Sequence, residues 1–373
     1  MGGKFIFKEL SDEEIFDILS LSETLPLTQS GEYGQWQKDL GREVRRFLIK
    51  KNNHEVGNTS NEIVGFFQLI KFDLPFGKNF IYSPHGPIIR IPPQNVSDQQ
   101  KFLEELLYGL KKYLLEIYGS KDTAFIRLDF TLVGAPSAAP ENNAIFKDHF
   151  KIPFKSTYHA AYLQPRAEWC LDITDSEENI LKKMHEKTRY VINLAGRKGI
   201  QTEIIEKDFK KYFEEFYSLL HETAARNKFF LHSKKYYKCI FDRIEKSSGA
   251  FLSVAKYENK ILVINLVQKF GDTANFIFGG GSSEQRNLSP SHRAHWAAIV
   301  HAKKIGAKSY NFGGVIEEND QAALSAHNDL AGLSSFKKKF GGHVVLHNHC
   351  YDLIIKPTWY YLYVGRKILR KFF

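Results

Sequence analysis

Residues 251–281 read FLSVAKYENKILVINLVQKFGDTANFIFGGG, and this stretch decides the fold class. Apolar and β-branched residues fill three runs, which are separated by Glu258-Asn259 and by Gly271-Asp272. Short pairs of Asn, Asp and Gly between such runs are typical of tight turns. The stretch therefore predicts consecutive antiparallel strands.

Helical segments surround these strands on both sides. Residues 207–227 and 289–306 have apolar residues at helical spacing, and residues 176–199 are predicted to form one helix. Two short apolar runs, WCLDIT (169–174) and KSYNFGG (308–314), are predicted to be further strands.

The N-terminal third repeats this order. Residues 11–22 (SDEEIFDILSLS) predict an amphipathic helix with Ser11 as N-cap and Glu14 three residues later. Residues 97–119 predict a longer helix that ends at a glycine, and TAFIRLDF (123–130) predicts a buried strand. The order of helix, strands, helix and strand thus appears twice, which predicts an α/β fold with mixed sheets and a duplicated unit.

The domain boundary is predicted from composition. Residues 135–165 are loop-like and rich in proline. We predict a first domain from residues 1–160 plus 345–373 and a second domain from residues 161–344. The basic, aromatic segment 359–373 is expected to be the last helix of the first domain, and contact with an anionic membrane is the alternative.

The charge balance points to an anionic partner. The chain has 373 residues, with 52 Lys and Arg against 42 Asp and Glu, so its net charge is +10. Such a surface attracts nucleic acid, nucleotide phosphates or an anionic membrane. Cys170, Cys239 and Cys350 are far apart and are taken as packing residues in a reducing compartment. No apolar run of 18 residues occurs, and the first residues lack a signal-peptide pattern, so we expect a cytoplasmic protein.

Several common catalytic motifs are absent from the sequence. It has no GxSxG, no HExxH, no GxxxxGK[ST] and no GxGxxG that opens a helix. FGGG at 278–281 is read either as a strand end with flexible backbone or as a point where a ligand approaches. His343, His347 and His349 would share one face of a strand, but no carboxylate or cysteine completes a metal site, so no metal is predicted.

Two basic segments leave two interpretations open. The cations of residues 182–199 form either a solvated face or a face that follows phosphates.

Arg226 lies near a helix end and is followed by Phe230, Tyr236 and Tyr237. Arginine can hold a diphosphate with two hydrogen bonds while an aromatic ring stacks on a base or sugar. The alternative is a loop arginine beside core aromatic residues.

These segments, taken in order, resemble the FemABX family. Residues 176–200 are similar to the family's KTRYNIRLAxRKGV helix, and residues 216–237 to its TAxRxxF segment. Residues 289–315 are similar to the P..L.W.AI..A...G...YDFGG segment, and GLSSFKKKFGG (332–342) to GLxxFKxxFGG. Five or six motifs in the right order are much more specific than any one of them.

Two weaker matches extend the resemblance toward the N-terminus. TLPLTQSGEYGQWQKDLG (24–41) is similar to QSxxWxxxKxxxG, with two or three extra residues before Trp36. IRLDF (126–130) is similar to xRxDP, with Phe130 in place of proline. The matches together run from about residue 25 to residue 351.

The resemblance implies both a fold and a reaction. FemABX enzymes are non-ribosomal peptidyltransferases that move an amino acid from aminoacyl-tRNA to the side-chain amine of a cell-wall stem peptide. The acceptor is UDP-MurNAc-pentapeptide or lipid II. Their fold is two tandem domains that resemble GNAT acetyltransferases. Some members insert a coiled-coil arm where this chain has only a short helix at about 208–226, so an armless subgroup is implied.

The resemblance also implies a reaction centre. Lys337 matches the family lysine that lies beside the tRNA end, and Phe336 stands next to it. A cation aimed at the tetrahedral oxyanion of ester aminolysis stabilises the transition state by about 3 kcal/mol. Lys338 and Lys339 have no such match and are predicted to bind tRNA phosphates.

The remaining site residues are predicted to bind the acceptor. Lys38 and Arg226 match positions that hold the acceptor's diphosphate, and Phe230 stands where some members have tyrosine. Asp129 could orient or deprotonate the amine, with a buried structural role as the alternative. Phe278 is read as lining the peptide channel or as a core aromatic residue.

Two other functions compete with the transferase. The first is another N-acyltransferase, which the departures at Phe130 and Phe230 motivate; the acetyl-CoA loop [RQ]xxGx[GA] is absent, so acetyl-CoA is not expected. The second is a non-catalytic protein that binds tRNA or a wall precursor. For the leading hypothesis we expect a monomer without a cofactor, with aminoacyl-tRNA as co-substrate, and leave open a peripheral contact with the inner face of the bacterial membrane.

Overall fold

The computed structural model describes residues 4–14, 16–55, 58–93, 95–119, 122–134, 144–151, 163–227, 229–316 and 328–369. Backbone contacts divide the chain into two units. The first unit is Met1–Arg166 with His347–Phe373, and the second is Ala167–Leu346. Within the described ranges, every helix is too short or too polar to cross a membrane.

The strands, in chain order, are β1 (Phe5–Leu10), β2 (Val44–Glu55), β3 (Asn58–Asp73), β4 (Asn79–Ser83), β5 (Ile88–Arg90), β6 (Thr123–Leu128), β7 (Thr131–Val133), β8 (Ala167–Asp172), β9 (Gln201–Ile205), β10 (Ala250–Tyr257), β11 (Lys260–Phe270), β12 (Thr273–Gly281), β13 (Ser309–Gly314), β14 (His343–Leu346) and β15 (Tyr351–Ile354).

The α-helices are α1 (Gly31–Asp39), α2 (Val96–Tyr118), α3 (Ala144–His149), α4 (Glu177–Lys183), α5 (Glu186–Arg197), α6 (Phe213–Asn227), α7 (Lys234–Ile244), α8 (Pro290–Lys304), α9 (Asn328–Lys338) and α10 (Pro357–Leu369). Short 3-10 turns lie at Ile18–Ser20, Leu27–Gln29, Phe209–Tyr212 and Arg286–Leu288.

The first unit is built on a mixed sheet with helices on both faces. Its strand order is β1-β2-β3-β4-β6-β15, and β5 pairs with β3 and β7. Successive side chains of a strand point to opposite faces. Ile126 of β6 accordingly joins the core that contains α2, whereas its neighbour Phe125 packs with Tyr360 and Val364 of α10. The C-terminal helix is therefore part of the first unit.

The second unit has a sheet of its own, with the order β14-β8-β13-β12-β11-β10-β9. The antiparallel run β10-β11-β12 is the one that residues 251–281 predict. Glu258 and Asn259 both have positive φ, 49° and 65°, as a two-residue hairpin turn requires. Only β12 and β13 pair in parallel in the described sheet, so both units have mixed sheets and the predicted α/β class is confirmed.

The predicted helix over residues 11–22 is wrong. Ser11 and Glu14 do exchange the two capping hydrogen bonds, at 2.9 Å and 3.3 Å. Among the described residues of this segment, the chain then forms only the short turn Ile18–Ser20, which Asp17 begins by accepting a hydrogen bond from the Leu19 amide at 3.0 Å. A local side-chain acceptor of this kind competes with helix continuation.

The single helix predicted over residues 176–199 is also wrong, because the structure has two helices there. Met184 is extended, with φ −73° and ψ 156°, and its side chain is buried. His185 begins α5 by accepting a hydrogen bond from the Lys187 amide, while its own amide donates to the carbonyl of Lys339 at 3.0 Å. Burial of Met184 and this long-range hydrogen bond are tertiary effects that periodicity does not encode.

The three C-terminal histidines do not share a strand. His343 lies in β14 of the second unit, whereas His347 belongs to the first unit and stacks on His85 with ring centroids 4.0 Å apart. Among the described residues, no group of three His, Cys, Asp or Glu side chains is arranged to hold a metal.

Candidate active site

The centre of the second unit is the place where β12 and β13 stop pairing. Their parallel ladder covers Thr273–Asn275 and Ser309–Asn311. β13 then shifts register between Asn311 and Gly314, where it pairs with Glu168 of β8, and Gly313 has a φ of +76°. We call the region between residues 276–281 and 312–314 the strand notch. Backbone groups that have left a ladder are available to other partners.

Lys337 occupies this notch. It lies in the last turn of α9, and only 6% of the residue is exposed. Its Nζ donates a 2.6 Å hydrogen bond to the carbonyl of Gly314, and it lies 3.8 Å from the point where a Cβ on Gly313 would be. The structure therefore places the predicted catalytic lysine inside the unit, against the end of β13 that no longer pairs with β12.

The buried ammonium group has a shifted pKa. Burial lowers the pKa of Lys337 from 10.5 to about 8, and the charge of Glu168 opposes this shift. Desolvation disfavours the charged form of a lysine, and a nearby carboxylate favours it. Lys337 therefore remains mostly protonated at neutral pH and loses its charge at mildly alkaline pH.

An amide holds the Glu168 carboxylate in place. Nδ2 of Asn311 donates to Oε2 of Glu168 at 3.0 Å and to Oδ1 of Asn275 at 3.3 Å, and Oδ1 of Asn311 accepts from the Gly313 amide at 2.7 Å. The motif comparison did not single out Glu168, Asn275 or Asn311. The sequence signal that could have identified them is a polar residue inside an otherwise apolar strand segment. Glu168 lies in AEWCLD, Asn275 in TANFIFGGG and Asn311 in SYNFGG.

Phe336 belongs to an aromatic cluster behind Lys337. Its ring centroid lies 4.9 Å from that of His292, 5.6 Å from that of His295 and 5.3 Å from that of Phe340. Burial lowers the pKa of His295 to about 3, with His292 and Lys337 acting in the same direction, so this ring is neutral. Phe336 therefore packs into an aromatic cluster, next to Lys337 in the sequence.

Two glycines fix the end of α9 against β8. Gly341 and Gly342 have φ angles of +79° and +99°. A Cβ on Gly342 would lie 2.3 Å from the carbonyl oxygen of Cys170, and the Gly341 carbonyl accepts a 2.7 Å hydrogen bond from Trp169. Only glycine fits such a position without a backbone shift. The turn after the three lysines thus positions Lys337.

Lys338 and Lys339 lie beside the buried lysine at a shallow pocket. Nζ of Lys338 lies 5.8 Å from the ring centroid of Trp169. The Lys339 carbonyl accepts a hydrogen bond from the His185 amide. Both lysines line a pocket of about 450 Å³ together with His185, Ile316 and Ser334. This pocket presents cations at the surface of the second unit.

The lysines of α4 are less available for phosphates. Lys182 pairs with Glu178 at 2.8 Å, and Lys183 pairs with Asp175 at 3.1 Å. Arg189 of α5 donates to the Lys182 carbonyl at 3.0 Å. These contacts favour a solvated, locally neutralised face for the α4 part of the basic segment.

Arg226 connects the end of α6 to β12. Its two terminal nitrogens each donate to the Gly281 carbonyl at 3.1 Å, and Nη1 also reaches Oγ of Ser283 at 2.9 Å. Phe278, on the same strand, packs edge-on against Tyr237 with centroids 5.3 Å apart. The structure thus brings Arg226 and Phe278 to one strand, whereas Phe230 is fully exposed.

The glycine run of β12 allows a helix to pack closely. A Cβ on Gly280 would lie 2.5 Å from the Leu220 amide nitrogen of α6, and one on Gly279 would lie 2.5 Å from Oδ1 of Asn265. These contacts explain Gly279 and Gly280 by close packing, which differs from both interpretations of FGGG that the sequence left open.

The remaining two candidates lie in the first unit. Asp129 is 6% exposed and accepts a hydrogen bond from the Tyr82 hydroxyl. Burial raises the pKa of Asp129 to about 6, although the hydrogen bond from Tyr82 and the charge of Arg127 oppose the rise. Lys38, in the last turn of α1, is paired with the exposed carboxylate of Asp12.

Comparison with known proteins agrees with the motif order. The FemAB family model matches residues 19–269 and 253–367. The lipid II:glycine glycyltransferase of Staphylococcus epidermidis (strain RP62A) is 20% identical over 320 residues, which cover 69% of this chain and 75% of that protein. The protein of the same name from Staphylococcus aureus (strain USA300) is 23% identical over 297 residues, which cover 58% of this chain and 69% of that protein.

A third relative is covered less completely. The lipid II:glycine glycyltransferase of Staphylococcus saprophyticus is 21% identical over 268 residues, 56% of this chain, and the chain spans 63% of that protein, less than two thirds of its length. All three relatives are named as aminoacyltransferases, the enzyme class that the sequence predicts.

A solved structure shares the fold. The crystal structure of FemX superposes with a TM-score of 0.70 at 18% identity, over 92% of this chain and 96% of FemX. The predicted fold of two tandem units is thereby confirmed. In the region of the arm, the described chain has only α6 and α7, of 15 and 11 residues. Because the family model covers nearly all of its sequence, the chain belongs to the FemAB family.

Proposed function

We propose that this chain is an aminoacyltransferase of peptidoglycan bridge synthesis. In this proposal it transfers an amino acid from aminoacyl-tRNA to the side-chain amine of the stem peptide in a wall precursor. The observation that carries the proposal is the buried Lys337 with its hydrogen bond to Gly314 at the strand notch of a FemAB chain. The names of the relatives support lipid II as the acceptor, with UDP-MurNAc-pentapeptide as the soluble counterpart.

The reaction needs stabilisation of charge more than it needs a protein nucleophile. The acceptor amine attacks the ester carbonyl, the new C–N bond forms, and the C–O bond to the tRNA breaks. The amine loses a proton and the released ribose hydroxyl gains one. The carbonyl oxygen is negatively charged in the tetrahedral intermediate, and a fixed cation or amide donor lowers its energy.

Lys337 is proposed as the group that stabilises this oxyanion. Its side chain is immobilised by burial and by the hydrogen bond to Gly314, so little reorganisation is needed when charge develops. Low exposure also strengthens the interaction of the ammonium group with a nearby negative charge. Phe336 and His295 pack against each other in the same unit, with ring centroids 5.6 Å apart.

Asp129 is proposed to receive the proton of the amine. A carboxylate with a pKa of about 6 is ionised at neutral pH and yet exchanges protons readily. The Tyr82 hydroxyl, which donates to this carboxylate, would hold its orientation. No cofactor is needed for the proposed steps.

The acceptor's diphosphate is assigned to Lys38 and Arg226. Each of these cations now has other partners, namely Asp12 for Lys38 and the Gly281 carbonyl with Ser283 for Arg226. Diphosphate binding in this proposal replaces those contacts by charge-assisted hydrogen bonds. Phe278 and the exposed Phe230 are proposed to contact the rest of the acceptor. Lys338 and Lys339 are assigned to tRNA phosphates because they present cations at a surface pocket.

The experiment mixes the purified protein with a pool of charged tRNAs and either UDP-MurNAc-pentapeptide or lipid II in detergent. Mass spectrometry of the acceptor then reports both the reaction and the amino acid. We expect the acceptor to gain the mass of an amino acid only when the tRNA is charged. Transfer from an acyl-CoA in place of charged tRNA would contradict the proposal, as would unmodified acceptors with every charged tRNA.

A further inference from the structure

An exposed aromatic turn in the first unit is unexplained by the proposed chemistry. The turn between β3 and β4 reads LPFGK, residues 74–78, and Phe76 at its tip is 86% exposed. Phe76 also has a positive φ of 59°, which is unusual for a bulky residue. Its ring lies 5.9 Å from that of Trp359 in α10, so the turn is held against the helix.

Helix α10 is apolar on more than one side. Tyr360 and Val364 are buried against the sheet, as described above. Tyr361 and Leu362 belong to the same helix, yet they are 59% and 58% exposed. A helix that only completed a core would place polar residues there. The exposed apolar residues on the outer side of α10 therefore indicate a surface that binds a partner.

A groove of about 620 Å³ opens between this turn and α10. Its lining is mostly apolar: Phe72, Leu74, Pro75, Phe76, Phe80, Leu163, Trp359, Leu362 and Tyr363. Arg366, Lys367 and Asp73 complete the lining. We call this surface, from residues 72–80 and 359–367, the aromatic groove.

Cations predominate around the groove. Arg366 is exposed, and Nζ of Lys367 lies 5.8 Å from the ring centroid of Tyr363. Nζ of Lys78 lies 6.0 Å from the ring centroid of Trp359 while pairing with Asp122. Asp73 supplies one negative charge at the groove itself. Aromatic rings next to lysine and arginine are the combination that favours the interface of a lipid bilayer.

We propose that the aromatic groove docks on the surface of an anionic phospholipid membrane. Phe76 and Leu362 enter the interfacial layer, acyl chain segments fill the groove, and Arg366 and Lys367 contact lipid phosphates. The proposal deepens the proposed function, on which its purpose rests, because it would bring the enzyme to a lipid-linked acceptor. A second copy of the chain fits less well, since a symmetric contact would bring two basic rims together.

The test is sedimentation of the full chain with vesicles of phosphatidylcholine alone or mixed with phosphatidylglycerol. We expect binding to the mixed vesicles that weakens as salt is added. Phe76→Ser with Leu362→Ser should weaken binding about tenfold or more, because two exposed apolar groups no longer enter the interface. Arg366→Gln should weaken it about fivefold on the mixed vesicles only.

The matched control is Tyr108→Ser. Tyr108 is an aromatic residue of the same unit, 64% exposed on α2 and absent from the groove lining. Its variant should bind vesicles like the wild type. Equal losses of vesicle binding from Tyr108→Ser and from the groove variant (Phe76→Ser with Leu362→Ser) would overturn the proposal. So would a wild-type protein whose vesicle binding does not increase when phosphatidylglycerol is added. Self-association that the groove variant abolishes, without vesicle binding, would instead assign the surface to a second copy.

Transfer to water-soluble UDP-MurNAc-pentapeptide separates this inference from the proposed function. The groove variant should keep the wild-type rate on the soluble acceptor and lose rate on lipid II in vesicles. If transfer occurs but vesicle binding does not, the membrane inference alone fails. If vesicles are bound but no charged tRNA supports transfer, the proposed reaction fails.

Discussion

The ammonium group of Lys337 donates a 2.6 Å hydrogen bond to the backbone carbonyl of Gly314. The acceptor carbonyl lies at the end of β13, beyond the point where β13 leaves β12. The helix α9 and the irregular end of a strand thus meet through a buried cation. Ammonium groups are rarely buried, which makes this contact the centre of the proposed site.

The pH dependence of transfer should reflect the pKa of Lys337. Because the protonated lysine stabilises the oxyanion, we expect the rate to fall as the pH rises through about 8. Glu168→Gln removes the negative charge that raises this pKa, so the fall should occur at lower pH. The measurement is the rate of transfer against pH for both proteins.

Glu284→Gln is the control for that profile, since Glu284 pairs with Lys260 at the surface. Its profile should overlay that of the wild type. A Glu168→Gln profile displaced to higher pH would contradict the role of the Lys337 charge.

Lys338 and Lys339 should contribute to tRNA affinity and little to the chemical step. Replacing both by glutamine should raise KM for aminoacyl-tRNA and reduce the salt dependence of tRNA binding by about one logarithmic slope unit per lost phosphate contact. Titration of tRNA binding at several salt concentrations measures the slope.

The double replacement of Lys182 and Lys183 provides the comparison. These lysines already pair with Glu178 and Asp175, so their loss should change the slope less. If replacing Lys182 and Lys183 changed the salt-dependence slope more than replacing Lys338 and Lys339, the tRNA contact would be assigned to α4 instead.

The folding stability of the first unit should depend on the buried ion pair between Arg127 and Asp352. Arg127 of β6 binds Asp352 of β15 through two hydrogen bonds of 2.8 Å, and both side chains are fully buried. The Tyr360 hydroxyl of α10 donates to the same carboxylate at 2.9 Å. Asp352→Asn leaves the guanidinium charge uncompensated, so we expect a loss of about 3 kcal/mol in the free energy of unfolding.

Urea titration monitored by fluorescence measures that loss. Lys260→Met breaks an exposed pair, 58% and 59% exposed, and should cost less than about 1 kcal/mol. Comparable losses in the two variants would show that the C-terminal segment is not anchored through Asp352.

Close helix packing at β12 should make Gly280 intolerant of a side chain. The added Cβ of Gly280→Ala would lie 2.5 Å from the Leu220 nitrogen, and relief of that clash should cost about 1–3 kcal/mol. Gly332→Ala in α9 meets nothing within 4 Å and should stabilise the protein by up to about 1 kcal/mol. Thermal unfolding of both variants distinguishes packing from simple backbone flexibility.

Local signals predicted much of the fold. Glu258-Asn259 predicted a turn because this polar pair separates two apolar runs, and Gly119 marked the end of α2 correctly. The failures have tertiary causes. The break at Met184 depends on burial and on a hydrogen bond from the next residue to a segment more than 150 positions away, which a local pattern does not contain.

The site was predictable only in part, for the same reason. The family motif identified Lys337, but Glu168 and His295 acquire their importance from the strand and helix that pack around that lysine. Arg226 was named as a diphosphate ligand, and its hydrogen bonds to the Gly281 carbonyl became visible only in three dimensions. Residue type and spacing specify candidates, whereas burial and hydrogen-bond partners specify their state.

The most direct test of the central claim is the single-turnover rate of amino acid transfer by wild type and Lys337→Met, at saturating charged tRNA and acceptor. We predict a rate loss of about 100- to 1000-fold in Lys337→Met. The control Lys260→Met, at a surface lysine, should keep the wild-type rate, and all three proteins should show folded circular dichroism spectra. A folded Lys337→Met protein that transfers within about threefold of the wild-type rate would contradict the assignment of Lys337 to the oxyanion.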